Sequence, residues 1–302
     1  MPVFEAFVSK GIVSSVMASC LFAVMYFYTS LLKPLDGEEI FGWRTLLTLP
    51  CLTLFMLVSK DWKRVGELMG RVKRTPVLLL GMVGTSWLMG VQLWLFLWAP
   101  LHGRSLEVSM GYFLLPLAMV LTGRLVYGER LSRLQTVAVA CAALGVGHEL
   151  YQNGSFAWET LLVTIGYPVY FVLRRRCRTD NLGGLWCDMC LLLPWALYFV
   201  IQSPLSSADL QAHPGLYVLV PILGAISASA LIAYVLASRM LPFSLFGLLS
   251  YVEPVLLVGV ALLLGETIGP DQWLTYLPIW AAVLVLVLEG FKHLLRQRRR
   301  SV

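Results

Sequence analysis

A chain of 302 residues that is 58% apolar and only 13% charged carries about half the charge of a soluble domain. No water-soluble core of this size hides so much apolar surface, so composition excludes a soluble globule, a disordered chain and a nucleic-acid binder. The net charge of +6 sits in short basic blocks between apolar runs, which points to an integral membrane protein.

Crossing a hydrocarbon layer about 30 Å thick takes about 20 apolar residues. Ten candidate spans follow in chain order: Gly11–Leu32, Ile40–Val58, Val77–Ala99, Val108–Tyr127, Leu134–Leu150, Phe156–Leu173, Gly183–Gln202, Leu216–Ser238, Pro242–Leu264 and Trp273–Phe291. The connections between them are short, so a compact helical bundle is expected. The first run lacks a small-residue cleavage site and is too long for a signal-peptide core, so it is expected to be retained.

Lysine and arginine set the orientation. With the N-terminus in the cytoplasm, 20 of the 23 basic residues fall inside, Lys33 and Arg104 fall outside, and Arg44 lies within a span. An even span count returns the C-terminus to the cytoplasm. The basic tail from Lys292 to Arg300 reads as a topology anchor, with lipid-headgroup contact as a secondary role.

The six cysteines do not form a secreted disulfide framework. Cys187 and Cys190 share one helix face and read as small packing residues. The four histidines, at 102, 148, 213 and 293, lack ligand spacing. The expectation is no metal, no cofactor and no catalytic residue.

An internal repeat is visible. The fourth span carries Tyr112, Pro116 and Gly128-Glu129, with Gln135 six residues after the Glu; the ninth carries Tyr251, Pro254 and Gly265-Glu266, with Gln272 at the same spacing. The stretches lie about 137 residues apart, which divides the chain into halves of five spans at 1–152 and 153–302. An odd number of spans per half forces opposite orientation, placing Gly128-Glu129 inside and Gly265-Glu266 outside. The expected fold is an all-α integral membrane protein, ten transmembrane helices in two inverted repeats of five, a pattern that recurs in secondary transporters.

Four stretches carry a family likeness: the run from Leu97 to Leu117 with Tyr127 to Leu131; Glu149 to Trp158; Tyr167-Pro168-Val169-Tyr170 through the arginine cluster to Pro194; and Ser238 to Glu266 with Ile279-Trp280-Ala281. On these the chain resembles the EamA-type drug/metabolite transporters, within them the RarD-like branch. Leu101, Leu115, Asp188, Gln92 and Glu253 depart from residues usual in that branch, so a differently lined cavity is expected.

Several polar residues inside spans are candidates for a substrate site. Glu253 lies eleven residues into the ninth span, where a charge costs about 2.5–3.5 kcal/mol by insertion scales. It is read as a substrate-binding or proton-coupling group, against a neutral side chain satisfying a carbonyl freed by Pro254. Arg44 lies about one turn into the second span, below Glu38 and Glu39. It stays charged at any accessible pH and either binds a substrate anion or snorkels to Glu39. Asp188, near the cytoplasmic end of the seventh span, is expected to pair with Arg174 or Arg175 as an inner gate or for structure alone. Gln92, Trp98, Tyr112 and Tyr251 complete the candidate lining. Ser229, Ala233 and Ala237, like Ala143 and Gly147, are read as packing stripes.

The resemblance implies a secondary transporter of the bacterial inner membrane, exporting a small polar or amphipathic metabolite. No Walker motif is present, so a proton or solute gradient is expected to drive it. One Arg and two acids suit a zwitterion, an amino-acid-like compound or an amino-acid-derived metallophore. Expected partners are this small molecule, the lipid bilayer and a second copy in a homodimer, not nucleic acid. The alternatives are a membrane-embedded enzyme on lipid-linked substrates, for which acid or histidine clusters are missing, and a non-transporting sensor or assembly partner.

Overall fold

A computed structural model describes residues 2–128, 132–153, 157–202, 213–240 and 249–300, and these contain helices, turns and coil but no strand. In chain order the helices are α1 (Pro2–Tyr28), a 3-10 turn (Thr29–Leu32), α2 (Gly37–Val58), α3 (Lys63–Arg74), α4 (Val77–Leu101), α5 (Ser105–Tyr127), α6 (Arg133–Asn153) and α7 (Trp158–Cys177). They continue with α8 (Leu182–Ile201), α9 (Leu216–Met240), α10 (Val252–Leu263), a 3-10 turn (Pro270–Gln272) and α11 (Trp273–Arg300). Among the described residues, six helical stretches are long and apolar enough to cross a membrane: Lys10–Leu32, α2, α4, α5, α8 and Leu216–Ala237. Thr136–His148 within α6 and Val252–Leu263 are shorter apolar helical segments. α7 carries Glu159 in its first turn and Arg174, Arg175 and Arg176 in its last, which dilutes its apolar character.

Two features differ from the sequence reading. Between the second and third spans, where a simple connection is expected, the chain builds α3, a 12-residue helix that buries Val65 and Leu68. The ninth span is not one uninterrupted helix: residues 250–251 form a turn and α10 begins at Val252. Residues 241–248 of that span, and Glu129 of the first Gly-Glu pair, lie outside the described residues.

Local chemistry fixes the helix ends. Asp36 caps α2, its carboxylate accepting from the Glu39 N–H at 2.9 Å while Glu39 accepts from the Asp36 N–H at 2.9 Å. This reciprocal pair satisfies donors that a helix start leaves open. α5 ends at Gly128 (φ 67) and α10 at Gly265 (φ 91), both in the left-handed region that glycine adopts without penalty. At the second end, Gly265 N–H donates to the Leu262 carbonyl and Glu266 N–H to the Ala261 carbonyl, the bond pair of a Schellman stop.

The helices form two compact units. The first comprises Met1–Cys20, Arg104–Pro168 and Leu236–Val302; the second comprises Leu21–Gly103 and Val169–Val235. In the first unit α6 packs on α11 and α5 on α10. Its core joins Met110, Phe113 and Leu117 of α5 with Ala138 and Ala142 of α6, Val258 of α10 and Ile279 of α11. Close approach is set at Gly145, where a Cβ would stand 2.7 Å from the Thr275 carbonyl oxygen. The expected stripe of Ala143 and Gly147 is instead exposed, and nothing lies within 4 Å of a Cβ at Gly147. The buried, close-packed face of α6 is one step round the helix. In the second unit α2 packs on α8, with α4 against both. At Gly42 a Cβ would lie 2.8 Å from the Ala196 carbonyl oxygen, so only glycine permits this spacing.

Candidate functional site

The seven candidate residues divide between the units: Arg44, Gln92, Trp98 and Asp188 in the second, Tyr112, Tyr251 and Glu253 in the first.

Arg44 follows about two turns after the capped start of α2 and is only 2% exposed. Its Nε donates to the Ser227 hydroxyl of α9 at 2.8 Å. The head group is therefore enclosed by protein. α9 comes close enough for this bond because Gly224 faces Leu47, with no room for a Cβ. Gln92 is buried on α4. Two residues on, Trp94 Nε1 donates to Glu38 at 3.0 Å. Trp98 stacks on His102 with ring centroids 4.0 Å apart, and its backbone seats against Gly37. Its position is thus fixed by packing at the α2–α4 contact.

Asp188 lies at the centre of a polar network in the second unit. Its Oδ1 accepts from the Thr85 hydroxyl at 2.8 Å; its Oδ2 accepts from Tyr170 at 3.4 Å and faces Arg174 Nη1 at 3.4 Å. Its backbone carbonyl accepts from Ser86 at 2.8 Å. Arg174, one of the two expected partners, pairs with it. The Arg174 guanidinium, 7% exposed, also donates to the Tyr170 hydroxyl at 2.5 Å and to the carbonyls of Thr179 and Asn181. It closes the α7–α8 turn, where Gly184 leaves no space for a side chain. Thr85, Ser86 and Tyr170 were not among the candidates. Tyr170 lies within the Tyr167-Pro168-Val169-Tyr170 stretch, which is the sequence signal that marks it.

In the first unit the Tyr112 and Tyr167 hydroxyls lie 2.9 Å apart, linking α5 to α7. α5 approaches α7 at Gly111, where a Cβ would stand 2.7 Å from Val163 Cβ. The Tyr251 hydroxyl is buried and has no hydrogen-bond partner among the described residues, as has Trp280 Nε1 beside the same aromatic cluster. Both are donors in apolar surroundings, where an unmet hydrogen bond is costly. Glu253, half-buried, lies in the first turn of α10. Pro254 is the third residue of the same helix, a position whose N–H has no intrahelical partner, so it frees no carbonyl there. The expectation of a mid-helix Glu beside a proline-freed carbonyl is thereby corrected.

A further polar cluster surrounds the start of α5. Glu266 accepts from the N–H groups of Ser105 at 2.9 Å and Leu106 at 2.8 Å, so the second Gly-Glu pair stops α10 and caps α5. Arg104 grips the fully buried Glu159 with two bonds, at 2.6 and 3.0 Å, and reaches Glu107 at 3.0 Å. His148 hydrogen-bonds Thr275 of α11 at 3.0 Å.

A family model described as the EamA-like transporter family matches residues 9–147. The chloramphenicol-sensitive protein RarD of Pseudomonas aeruginosa is 44% identical over 97% of this chain and 98% of its own length. An uncharacterized transporter of Pasteurella multocida is 41% identical over 95% of this chain and 99% of that one. The protein RarD of Salmonella typhimurium is 28% identical over 93% and 95%. A solved crystal structure covers 93% of this chain and 98% of its own at a TM-score of 0.54 and 19% identity, a likeness of fold alone.

Proposed function

We propose that this chain, which belongs to the EamA-type, RarD-like transporter family, is a secondary transporter that exports a small polar or amphipathic metabolite across the bacterial inner membrane. The chain is a multi-pass membrane transporter by its relatives and its apolar helices; direction, substrate and coupling are our reading. The observation that carries it is Arg44, a permanently charged group only 2% exposed inside a helix apolar enough to cross a membrane. Such residues are costly in a bilayer and mark substrate pathways. A planar guanidinium recognises carboxylates, and the acids Asp188 and Glu253 supply the opposite sign, which favours an amino-acid-like zwitterion. Proton antiport is assigned to Glu253, with Gln92, Trp98, Tyr112 and Tyr251 as lining.

The finer architecture of this reading is ten spans in two inverted repeats, 1–152 and 153–302, with both termini cytoplasmic and a homodimer as the assembly. Helices five spans apart pack as mates: α2 with α8, α5 with α10, α6 with α11. The mates α5 and α10 both end on a left-handed glycine before a Glu. These features support the repeat. The test is uptake and counterflow in proteoliposomes with a panel of radiolabelled amino acids. Saturable uptake above empty liposomes is expected, and its absence across the panel overturns the substrate class.

A further inference from the structure

α3 is an element the transport reading does not use. It joins α2 to α4, two helices apolar enough to cross a membrane, so their joined ends and α3 lie at one membrane surface. Its apolar face is already occupied: Leu68 packs with Met82 of α4 and Cys187 of α8, with Val72 beside them. The outward face is therefore not an apolar wedge for the bilayer. It carries Lys63, Gly66, Gly70, Lys73 and Arg74, whose spacing of three and four places them on one side. A Cβ at Gly66 or Gly70 would meet nothing within 4 Å. Neither glycine has a positive φ, so neither packing nor backbone geometry calls for glycine there. Their use leaves an open strip of backbone between cations.

Two further observations enlarge this surface. Arg71 donates to the carbonyls of Cys177 and Arg178 at 2.7 and 2.9 Å, tying α3 to the end of α7, where Arg175, Arg176 and Arg178 are exposed. Lys60 (φ 60) and Arg178 (φ 52) both take left-handed conformations at helix stops, positions where glycine is the unstrained choice. Cations thus stand at left-handed positions just past the ends of α2 and α7, flanking α3. The exposed acids nearby are Glu67 and Asp180, while Asp61 is paired with Arg64 at 3.0 Å.

We propose that the glycine strip of α3, bordered by Lys63, Lys73 and Arg74 and extended by the α7 arginines, docks the headgroups of anionic phospholipids. The glycines let a phosphodiester approach the backbone while the cations neutralise it, and Trp62, exposed and edge-on to Trp186 at 5.1 Å, follows the end of α2, the kind of place where aromatic side chains meet headgroups. The site is independent of the cargo assigned above, because its readout is lipid binding.

The experiment is native mass spectrometry and thermal unfolding of the purified chain in neutral detergent, titrated with cardiolipin, with phosphatidylcholine or with inorganic phosphate. Cardiolipin is expected to be retained and to raise the melting temperature, and the other two are not. The triple variant Lys63→Gln, Lys73→Gln, Arg74→Gln should weaken retention at least tenfold. The pair Gly66→Gln, Gly70→Gln keeps every charge and fills open space, so it should fold normally and still bind several-fold less. Neutralising Arg298, Arg299 and Arg300 in the tail should leave binding unchanged. Equal retention by the triple variant and wild type, equal stabilisation by phosphatidylcholine, or full stabilisation by inorganic phosphate overturns the proposal.

Discussion

Two arginines are buried in the second unit, and their surroundings separate their roles. Arg174 is held by Asp188, Tyr170 and two backbone carbonyls, a set that locks the α7–α8 turn. Removing one member of a buried ion pair strands the other, at about 3–5 kcal/mol. Arg174→Gln is therefore expected to lower stability by that amount, read as a fall in the denaturation midpoint. Arg44 donates through Nε to the Ser227 hydroxyl of α9. Arg44→Lys keeps the charge but loses the planar fork, so transport should drop at least tenfold while the melting temperature stays near wild type. Wild-type transport in that variant would assign Arg44 to packing. Glu253→Gln should abolish uptake driven by a pH gradient while sparing exchange without a gradient; unchanged gradient dependence would remove Glu253 from the coupling. Arg44, Asp188 and Glu253 were legible in the sequence because a charge in an apolar run costs free energy and demands a reason. Ser227, Thr85 and Tyr170 were not, because neutral polar residues are common in membrane helices, and only folding shows that Ser227 lies 183 positions from its partner.

At the scale of elements, helix ends do much of the positioning. Gly265 stops α10 and Glu266 caps α5, so one dipeptide joins two helices. Alanine at a positive φ destabilises by about 1 kcal/mol or more, and a lost cap costs about 0.5–2 kcal/mol. Gly265→Ala and Glu266→Ala should each lower the melting temperature, whereas Gly147→Ala, which meets open space, should not. An equal loss at Gly147 would undo this ordering. The repeat of Gly-Glu was visible in the sequence, but the cap was not, since it joins residues about 160 positions apart. The break before Val252 was hidden for another reason: Ser250 and Tyr251 are neutral residues of a kind common inside membrane helices, so they carry no charge that flags a turn. α3 was hidden by the opposite error. Val65, Leu68 and Val72 recur at helical spacing, but the charges around them read as a connection.

Over the whole molecule, the asymmetry of basic residues predicts the topology. With 20 of 23 lysines and arginines on one side, both termini should be cytoplasmic. A cytoplasmic reporter fused at the C-terminus should be active and a periplasmic one silent; the reverse would reject the orientation and the inverted repeat with it. Membership of the RarD-like branch gives the class of activity, a membrane transporter, and the amino-acid-like cargo is the claim proposed above. The most direct measurement of that claim is counterflow of a radiolabelled amino acid into proteoliposomes, wild type beside Arg44→Lys. Saturable uptake by wild type, cut at least tenfold in the variant, is the predicted result, and equal uptake by both, or none above empty liposomes for any amino acid tried, would contradict it.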